Sequence, residues 1–386
     1  MIRNTITRGA TAVVGVAESD LGQVAAGLSP QDLMAQAIIR ALDDCGLTLS
    51  QVDGLFLAAS QLRMPSITMC EYLGIRPRYM DSSFIGGASF ESLAAHAAAA
   101  LQAGLCDVAV IAYGSTQRSQ RGRFAPQRDL NEYDAPYRPR LPITGYALAA
   151  ARHMHEYGTT REDLAEIAVA ARKWAQLNPN AFDRRPLSIA EVLASPMVSS
   201  PLTARDCCLV TDGGGAVVMV RADRAAALKK APIYLLGCGE AQLHHSIACM
   251  PTLTESGAAL SGAQAYAMAG MTAGDIDVAQ LYDAFTITTL LFLEDLGFCP
   301  KGEGGRFVRD GAIAPGGRLP VNTSGGGLSY CHPGMFGVFL IIEAVRQLRG
   351  ECGDRQVDGA ETAIAHGNGG VLAAQSTLIL GTGATV

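Results

Sequence analysis

Two stretches far apart in this chain read alike. Thr11-Ala12-Val13-Val14-Gly15-Val16-Ala17-Glu18 and Ile233-Tyr234-Leu235-Leu236-Gly237-Cys238-Gly239-Glu240 are both apolar runs that end in an acid. Each is followed by an Ala-rich amphipathic stretch, residues 30–45 in the first case and 257–269 in the second, closed by Gly46 and Gly270. A glycine at that place predicts a helix ending in the left-handed conformation. Leu47-Thr48 with Val52-Asp53 is then matched by Met271-Thr272 with Ile276-Asp277, and apolar strands follow at 55–59 and 278–281. A repeat of this kind constrains the fold before any single residue does.

A second correspondence lies further along. Phe84-Ile85-Gly86-Gly87-Ala88-Ser89 precedes a long helix running to Gly104, and Ser324-Gly325-Gly326-Gly327 precedes a helix over about 336–348. Apolar strands follow both, at 107–113 and at 363–366 with 376–380. Strands this uniformly apolar are buried on both faces, so the expectation is an α/β protein made of two copies of one βαβ-rich unit. The halves are placed at 1–224 and 231–386. A polar insertion at about 116–202 interrupts the first and is expected to cap the site. It opens with Arg118, Arg121, Arg123, Arg128, Arg138 and Arg140, and helices are expected at 145–157, 161–178 and 188–194. Arginines of this density suit phosphate groups, although a solvated Arg-rich surface reads the same way.

Composition excludes several classes. A net charge of −6 does not suit a nucleic-acid or membrane-surface protein. No apolar run reaches the ~20 residues that span a bilayer, and the N-terminus does not read as a signal peptide. The ten cysteines are scattered and hold no CxxC pair. That is expected of a reduced cytoplasmic protein, without a disulfide scaffold or a metal site.

Several segments, in order and spacing, resemble the SCP2-type (sterol-carrier-protein) branch of the thiolase superfamily. They are Glu71-Tyr72-Leu73-Gly74-Ile75, the run from His155 to Asp163, Leu177-Asn178-Pro179, Pro201-Leu202 and Cys207-Cys208 through Thr211-Asp212-Gly213-Gly214. Leu296-Gly297-Phe298-Cys299-Pro300-Lys301-Gly302 and Asn322-Thr323-Ser324-Gly325-Gly326 with His332-Pro333-Gly334 complete the set. The resemblance implies a duplicated five-layered α-β-α-β-α fold with a loop domain. It also implies a coenzyme A thioester as substrate, bound under that domain with no metal in the chain. Backbone N–H groups at Gly86, Gly87, Gly325 and Gly326 have the chemistry to hold a thioester oxygen, and Arg118, Arg121 and Arg123 are candidates for the coenzyme A phosphates.

The pattern breaks at the chemistry. The position matching the thiolase nucleophilic cysteine is Gly87, and Ser89 reads as a cap. The family's His-Asp-Cys-Phe segment is here Tyr282-Asp283-Ala284-Phe285, and its near-terminal Cys-x-Gly region is His366-Gly367-Asn368-Gly369-Gly370. His332 remains, flanked by Tyr330 and Cys331. Cys331 is the cysteine nearest the family's site and reads also as a small buried filler. Tyr282 is open between a core tyrosine and an acid.

What survives is a thioester site with two acid/base groups and no nucleophile. That set fits retro-aldol cleavage of a 3-hydroxyacyl-CoA, with His332 as base and Tyr282 as acid or oxyanion donor. It resembles the thiolase-like aldolases of steroid side-chain degradation, which pair two tyrosines instead. The resemblance further implies a homodimer and a small OB-fold, zinc-ribbon partner. Two other readings stand below it: a non-catalytic acyl-CoA-binding or scaffold subunit, and then a thiolase acting by acyl transfer.

Overall fold

The computed structural model describes residues 6–120 and 132–386. The first part of the chain runs β1 (Thr11–Glu18), α1 (Pro30–Cys45), β2 (Gly54–Leu57), α2 (Pro65–Leu73), β3 (Tyr79–Ser82), α3 (Ser89–Gln102) and β4 (Ala109–Ser115). Then come α4 (Ile143–Tyr157), α5 (Arg161–Leu177), α6 (Ile189–Leu193) and a small hairpin, β5 (Met197–Ser199) and β6 (Leu202–Thr203). The chain returns through β7 (Gly213–Arg221), α7 (Ala222–Ala225), β8 (Ile233–Gln242), α8 (Ala258–Ala269) and β9 (Val278–Leu281). It ends with α9 (Thr286–Asp295), α10 (Gly304–Val308), α11 (Gly337–Leu348), β10 (Thr362–Gly369) and β11 (Ala374–Gly381).

Nine strands form one hydrogen-bonded sheet in the order β3-β2-β4-β7-β1-β8-β11-β10-β9. The pairing sense repeats outward from the β1–β8 seam. β1–β7 and β7–β4 are antiparallel and β4–β2 is parallel; β8–β11 and β11–β10 are antiparallel and β10–β9 is parallel. The seam itself is thin, with Ala12 opposite Tyr234 and Val13 opposite Ile233.

The helices show how the sheet doubles back. α1 packs on β1, β7 and β4, and α8 packs on β8 and β11. α3 and α11 touch each other and strands from both sides of the seam. That makes α3 and α11 the middle of five layers, which explains why both are apolar nearly all round. Local signals set the ends. The Ser29 hydroxyl accepts from the Asp32 amide while Asp32 accepts from the Ser29 amide, a reciprocal cap, and Gly46 closes α1 at φ 76°. No described helix is long and apolar enough to cross a membrane.

The insertion between β4 and β7 lies over the second part of the sheet. α5 packs on α9, on α10 and on the turn Gly326–Tyr330. Arg121, Arg123 and Arg128 lie outside the described residues.

Candidate active site

Three backbone segments meet beneath the insertion: the start of α3, the residues just after β9, and the loop that leads into α11. They enclose a cavity of about 350 Å³ lined by Gly86, Gly87, Tyr146, Tyr282, His332 and Asn368, among others. Several hollows are larger, among them two that bear on the site. One, of about 660 Å³, lies along residues 23–29 and Arg118–Gln120, and the other, of about 590 Å³, adjoins the cavity on its apolar side. Neither holds an acid/base pair like that of the smaller cavity.

Tyr282 follows β9 directly, and its amide donates to the His366 carbonyl at 3.0 Å. Its ring is 4% exposed and meets the edges of Phe336 and His332 at 5.9 and 5.7 Å. His332 is fixed through its backbone, with its amide on the Thr211 hydroxyl at 3.0 Å and its carbonyl accepting from the Thr211 amide at 3.2 Å. The Tyr282 hydroxyl and His332 Nε2 are 3.0 Å apart. Burial raises the phenol well above its ordinary value and pushes the imidazole down to about 4. At neutral pH both groups are therefore uncharged, and the imidazole keeps one lone pair able to take a proton.

Gly87 explains why no nucleophile stands here. A Cβ on this residue would lie 2.1 Å from Cε2, 2.5 Å from Cζ and 2.6 Å from the hydroxyl oxygen of Tyr282. The tyrosine ring fills the space that a side chain at position 87 would need. Ser89 is spoken for as well: its hydroxyl donates to the Gly86 carbonyl at 2.7 Å and accepts from the Ile85 amide at 3.1 Å. It closes the turn before α3 rather than capping the helix forward.

Other sequence candidates lie elsewhere. Tyr330 donates to Glu18 at 2.8 Å, on a carboxylate that Arg346 also holds, and it does not line the cavity. Cys331 is fully buried and also off the cavity; burial raises its thiol far above the ordinary range, and a thiol is a poor nucleophile. Gly325 and Gly326 do not offer their amides to a ligand. The Gly325 amide donates to the Asn322 carbonyl at 2.8 Å and the Gly326 amide to the Ser324 hydroxyl at 3.3 Å. Both glycines serve packing: a Cβ would meet Ala175 of α5 at 2.7 Å in one case and Asp283 at 2.1 Å in the other. Arg118 stands over the Phe182 ring and donates to the Val210 carbonyl, along the polar hollow rather than in the cavity.

Sequence reasoning missed several lining residues. The Tyr146 hydroxyl, from α4, donates to the Gly370 carbonyl at 2.7 Å and accepts from Asn368 at 2.8 Å. Asn368 is held in turn by Gln375, which also bonds His366. His366 is buried behind the cavity wall, where burial lowers it to about 3. Asp283, buried, accepts from the amides of Gly327 at 2.6 Å and Leu328 at 3.2 Å, and burial raises it to about 7. It fixes the single π-helical turn Gly326–Tyr330 that leads to His332.

A thiolase C-terminal domain-like family matches residues 239–382. A 17-hydroxy-3-oxo-4-pregnene-20-carboxyl-CoA lyase of Mycobacterium tuberculosis is 36% identical, over 97% of this chain and 99% of its own. The chain belongs to the thiolase superfamily. An acetyl-CoA acetyltransferase of Methanothermobacter thermautotrophicus is 34% identical, over 93% of this chain and 96% of its own. Among solved structures, an Ltp2-ChsH2(DUF35) aldolase superposes with a TM-score of 0.89 at 32% identity, covering 98% of this chain and 99% of that one. This thiolase-superfamily chain therefore resembles both carbon–carbon lyases and acyltransferases over nearly its whole length.

Proposed function

We propose that this thiolase-superfamily protein cleaves the C2–C3 bond of a 3-hydroxyacyl-CoA by a retro-aldol reaction. The observation that carries the reading is the neutral Tyr282–His332 pair, with the tyrosine ring filling the place of a nucleophile at position 87. His332 takes the proton of the 3-hydroxyl, a carbonyl forms at C3, and the electrons of the C2–C3 bond pass into the thioester as an enolate. The Tyr282 hydroxyl and the N–H groups of Gly86 and Gly87 at the start of α3 stabilise the enolate oxygen. The imidazolium is a strong acid in this buried setting and returns the proton to C2. The products are a shortened acyl-CoA and a ketone or aldehyde.

Around this core we place Arg118 against a coenzyme A phosphate, a homodimer as the assembly, and a DUF35-type protein as partner, as the name of the superposed aldolase suggests. Residues 1–224 and 231–386 are taken as the two halves. The test is a panel of 3-hydroxyacyl-CoA and 3-ketoacyl-CoA thioesters, with and without free coenzyme A and the partner, read by mass spectrometry. The expected result is a shorter acyl-CoA plus a carbonyl compound without added coenzyme A. Tyr282→Phe and His332→Ala should each lose ~10²–10⁴-fold in rate. Cleavage only of 3-ketoacyl-CoA, and only with free coenzyme A, would overturn the reading in favour of acyl transfer.

A further inference from the structure

We propose that Glu91 is a positioning residue for the cleavage: it must keep its proton for the turn at the start of α3 to hold the enolate oxygen. The inference rests on the retro-aldol reading, which places that oxygen on the N–H groups of Gly86 and Gly87. Glu91 stands in the first turn of α3, where an acid ordinarily sits in the open and complements the helix dipole. Here it is fully buried, and neither carboxyl oxygen accepts a hydrogen bond from the described residues.

The fold makes room for this carboxyl. A Cβ on Gly367 of β10 would lie 2.2 Å from its Oε2, and a Cβ on Gly337 of α11 would lie 2.4 Å from Oε2 and 2.9 Å from Oε1. Neither glycine has a positive φ, so what the niche requires of them is a missing side chain rather than an unusual backbone. The Cβ position on Gly337 would also lie 2.2 Å from the Gly87 carbonyl oxygen. The acid is therefore packed behind the peptide of the proposed enolate-holding turn.

Among the described residues no counter-ion faces it. The other titratable side chains of α3, α11 and β10 have partners elsewhere: His96 with Asp81, Glu343 with Arg355, Arg346 with Glu18, and His366 with Thr377 and Gln375. Tyr282, whose ring lies against Gly87, and Tyr113 of β4 stay protonated, since burial raises both phenols. Burial raises Glu91 to about 8, offset only by its own amide. Below that pH the acid is neutral, and the amides at the start of α3 face the enolate undiminished. Above it, an uncompensated negative charge sits one turn behind them at low dielectric, and the like charge of the enolate is disfavoured.

The test is a pH series in two assays on the full chain, with the fold checked by circular dichroism at each point. In turnover of a 3-hydroxyacyl-CoA, kcat/KM of the unmodified protein should fall at least ~10-fold from pH 7 to about 9.5. Glu91→Gln and Glu91→Met, neutral at every pH, should stay within about threefold of the unmodified rate at pH 7 and lose the decline. A merely structural role would lower activity alike at every pH and leave the decline in place. The binding probe is S-carboxymethyl-coenzyme A, an anionic mimic of the acetyl-CoA enolate, with S-ethyl-coenzyme A as control. The mimic should bind the unmodified protein at least ~10-fold more weakly at about pH 9.5 than at pH 7, and Glu91→Gln equally at both, with the control unchanged. Absence of the decline from both assays, or the same decline in a folded variant, overturns the proposal. The binding arm needs no cleavage, so a Glu91-dependent decline in a chain that cleaves no 3-hydroxyacyl-CoA sinks the retro-aldol reading and leaves the role of Glu91 standing.

Discussion

Adding a single methyl group at Gly87 tests the central geometric claim. In Gly87→Ala the new carbon would sit 2.1–2.6 Å from three atoms of the Tyr282 phenol, where ~3.5–4.0 Å is the favourable carbon–carbon separation. The ring must therefore move by more than about 1 Å. It has little freedom, because its backbone is bonded to His366, its hydroxyl to His332, and its faces are bounded by Phe336. Overpacking of this kind costs ~1–3 kcal/mol, and losing the Tyr282–His332 bond costs ~0.5–1.5 kcal/mol. The expected loss of stability is ~2–4 kcal/mol, measured by urea unfolding. The expected loss of kcat/KM is at least ~10²-fold, since displacements of ~1 Å cost that much in a positioned site. The cycle is closed by Gly87→Ala/Tyr282→Ala, in which the clash disappears. The two changes should couple favourably by ~1–3 kcal/mol while activity stays lost. If Gly87→Ala kept its stability to within ~0.5 kcal/mol, the level of an ordinary surface change, and kept its activity, the ring would not be where the structure puts it.

His332 must be unprotonated to act, and burial lowers it to about 4, so kcat/KM should stay level as pH falls to about 5 and drop below that; an inflection near 6.5 that persisted in Asp283→Asn would contradict this. The same shift means that the folded state binds fewer protons than the unfolded state between pH 6.5 and 4, so this histidine's share of stability is lost as pH falls through that window. Glu91 is the opposite case: it is fully buried in α3, its carboxyl oxygens have no protein partner, and burial raises it to about 8. The folded state then holds the extra proton between pH 4.5 and 8, and stability falls as pH rises. Glu91→Gln should remove ~2–3 kcal/mol of that decline between pH 5 and 7, at ~1.4 kcal/mol per pH unit, as read by urea unfolding at each pH. Tyr330→Phe should keep kcat/KM and cost ~1.5–3 kcal/mol of stability for its bond to the Glu18 carboxylate; a large rate loss at unchanged stability would return Tyr330 to the site.

Elements whose ends are set by neighbouring residues could be read from the sequence. Residues 30–45 form α1 as expected, because Ser29, Asp32 and Gly46 mark both ends. β4 was expected at 107–113 and runs Ala109–Ser115, since the amides of Asp107 and Val108 donate to the Asp53 carboxylate instead of joining the ladder. The pair Tyr282 and His332 was legible because both stand in segments that the family's chemistry marks. The direction of Tyr330 was not: it closes a π-helical turn, and the partner that claims it, Glu18, is at the far end of the chain. The amides of Gly325 and Gly326 looked available from sequence, but a glycine's conformational freedom does not reveal which carbonyl or hydroxyl already holds its N–H. Tyr146 and Asn368 carry no local signal either, since only the folded chain brings the insertion against the end of β10.

The insertion is tied to the segment that carries His332, the proposed base. The amides of Phe182 and Asp183 donate to the carbonyls of Tyr330 and Ser329, the Asn178 side chain donates to the Ser324 carbonyl, and Arg172 donates to the Ser329 hydroxyl. Asp183 is in turn gripped by Arg172, Arg185 and Arg205. A roof attached in this way cannot swing open without pulling on the loop that positions His332. A path that leaves these bonds in place needs only side-chain rotation, which at nanoseconds is faster than the microsecond-to-millisecond motion of a hinged lid. Turnover in such an enzyme is paced by bond breaking or by escape of a product, and added viscogen would slow only the second.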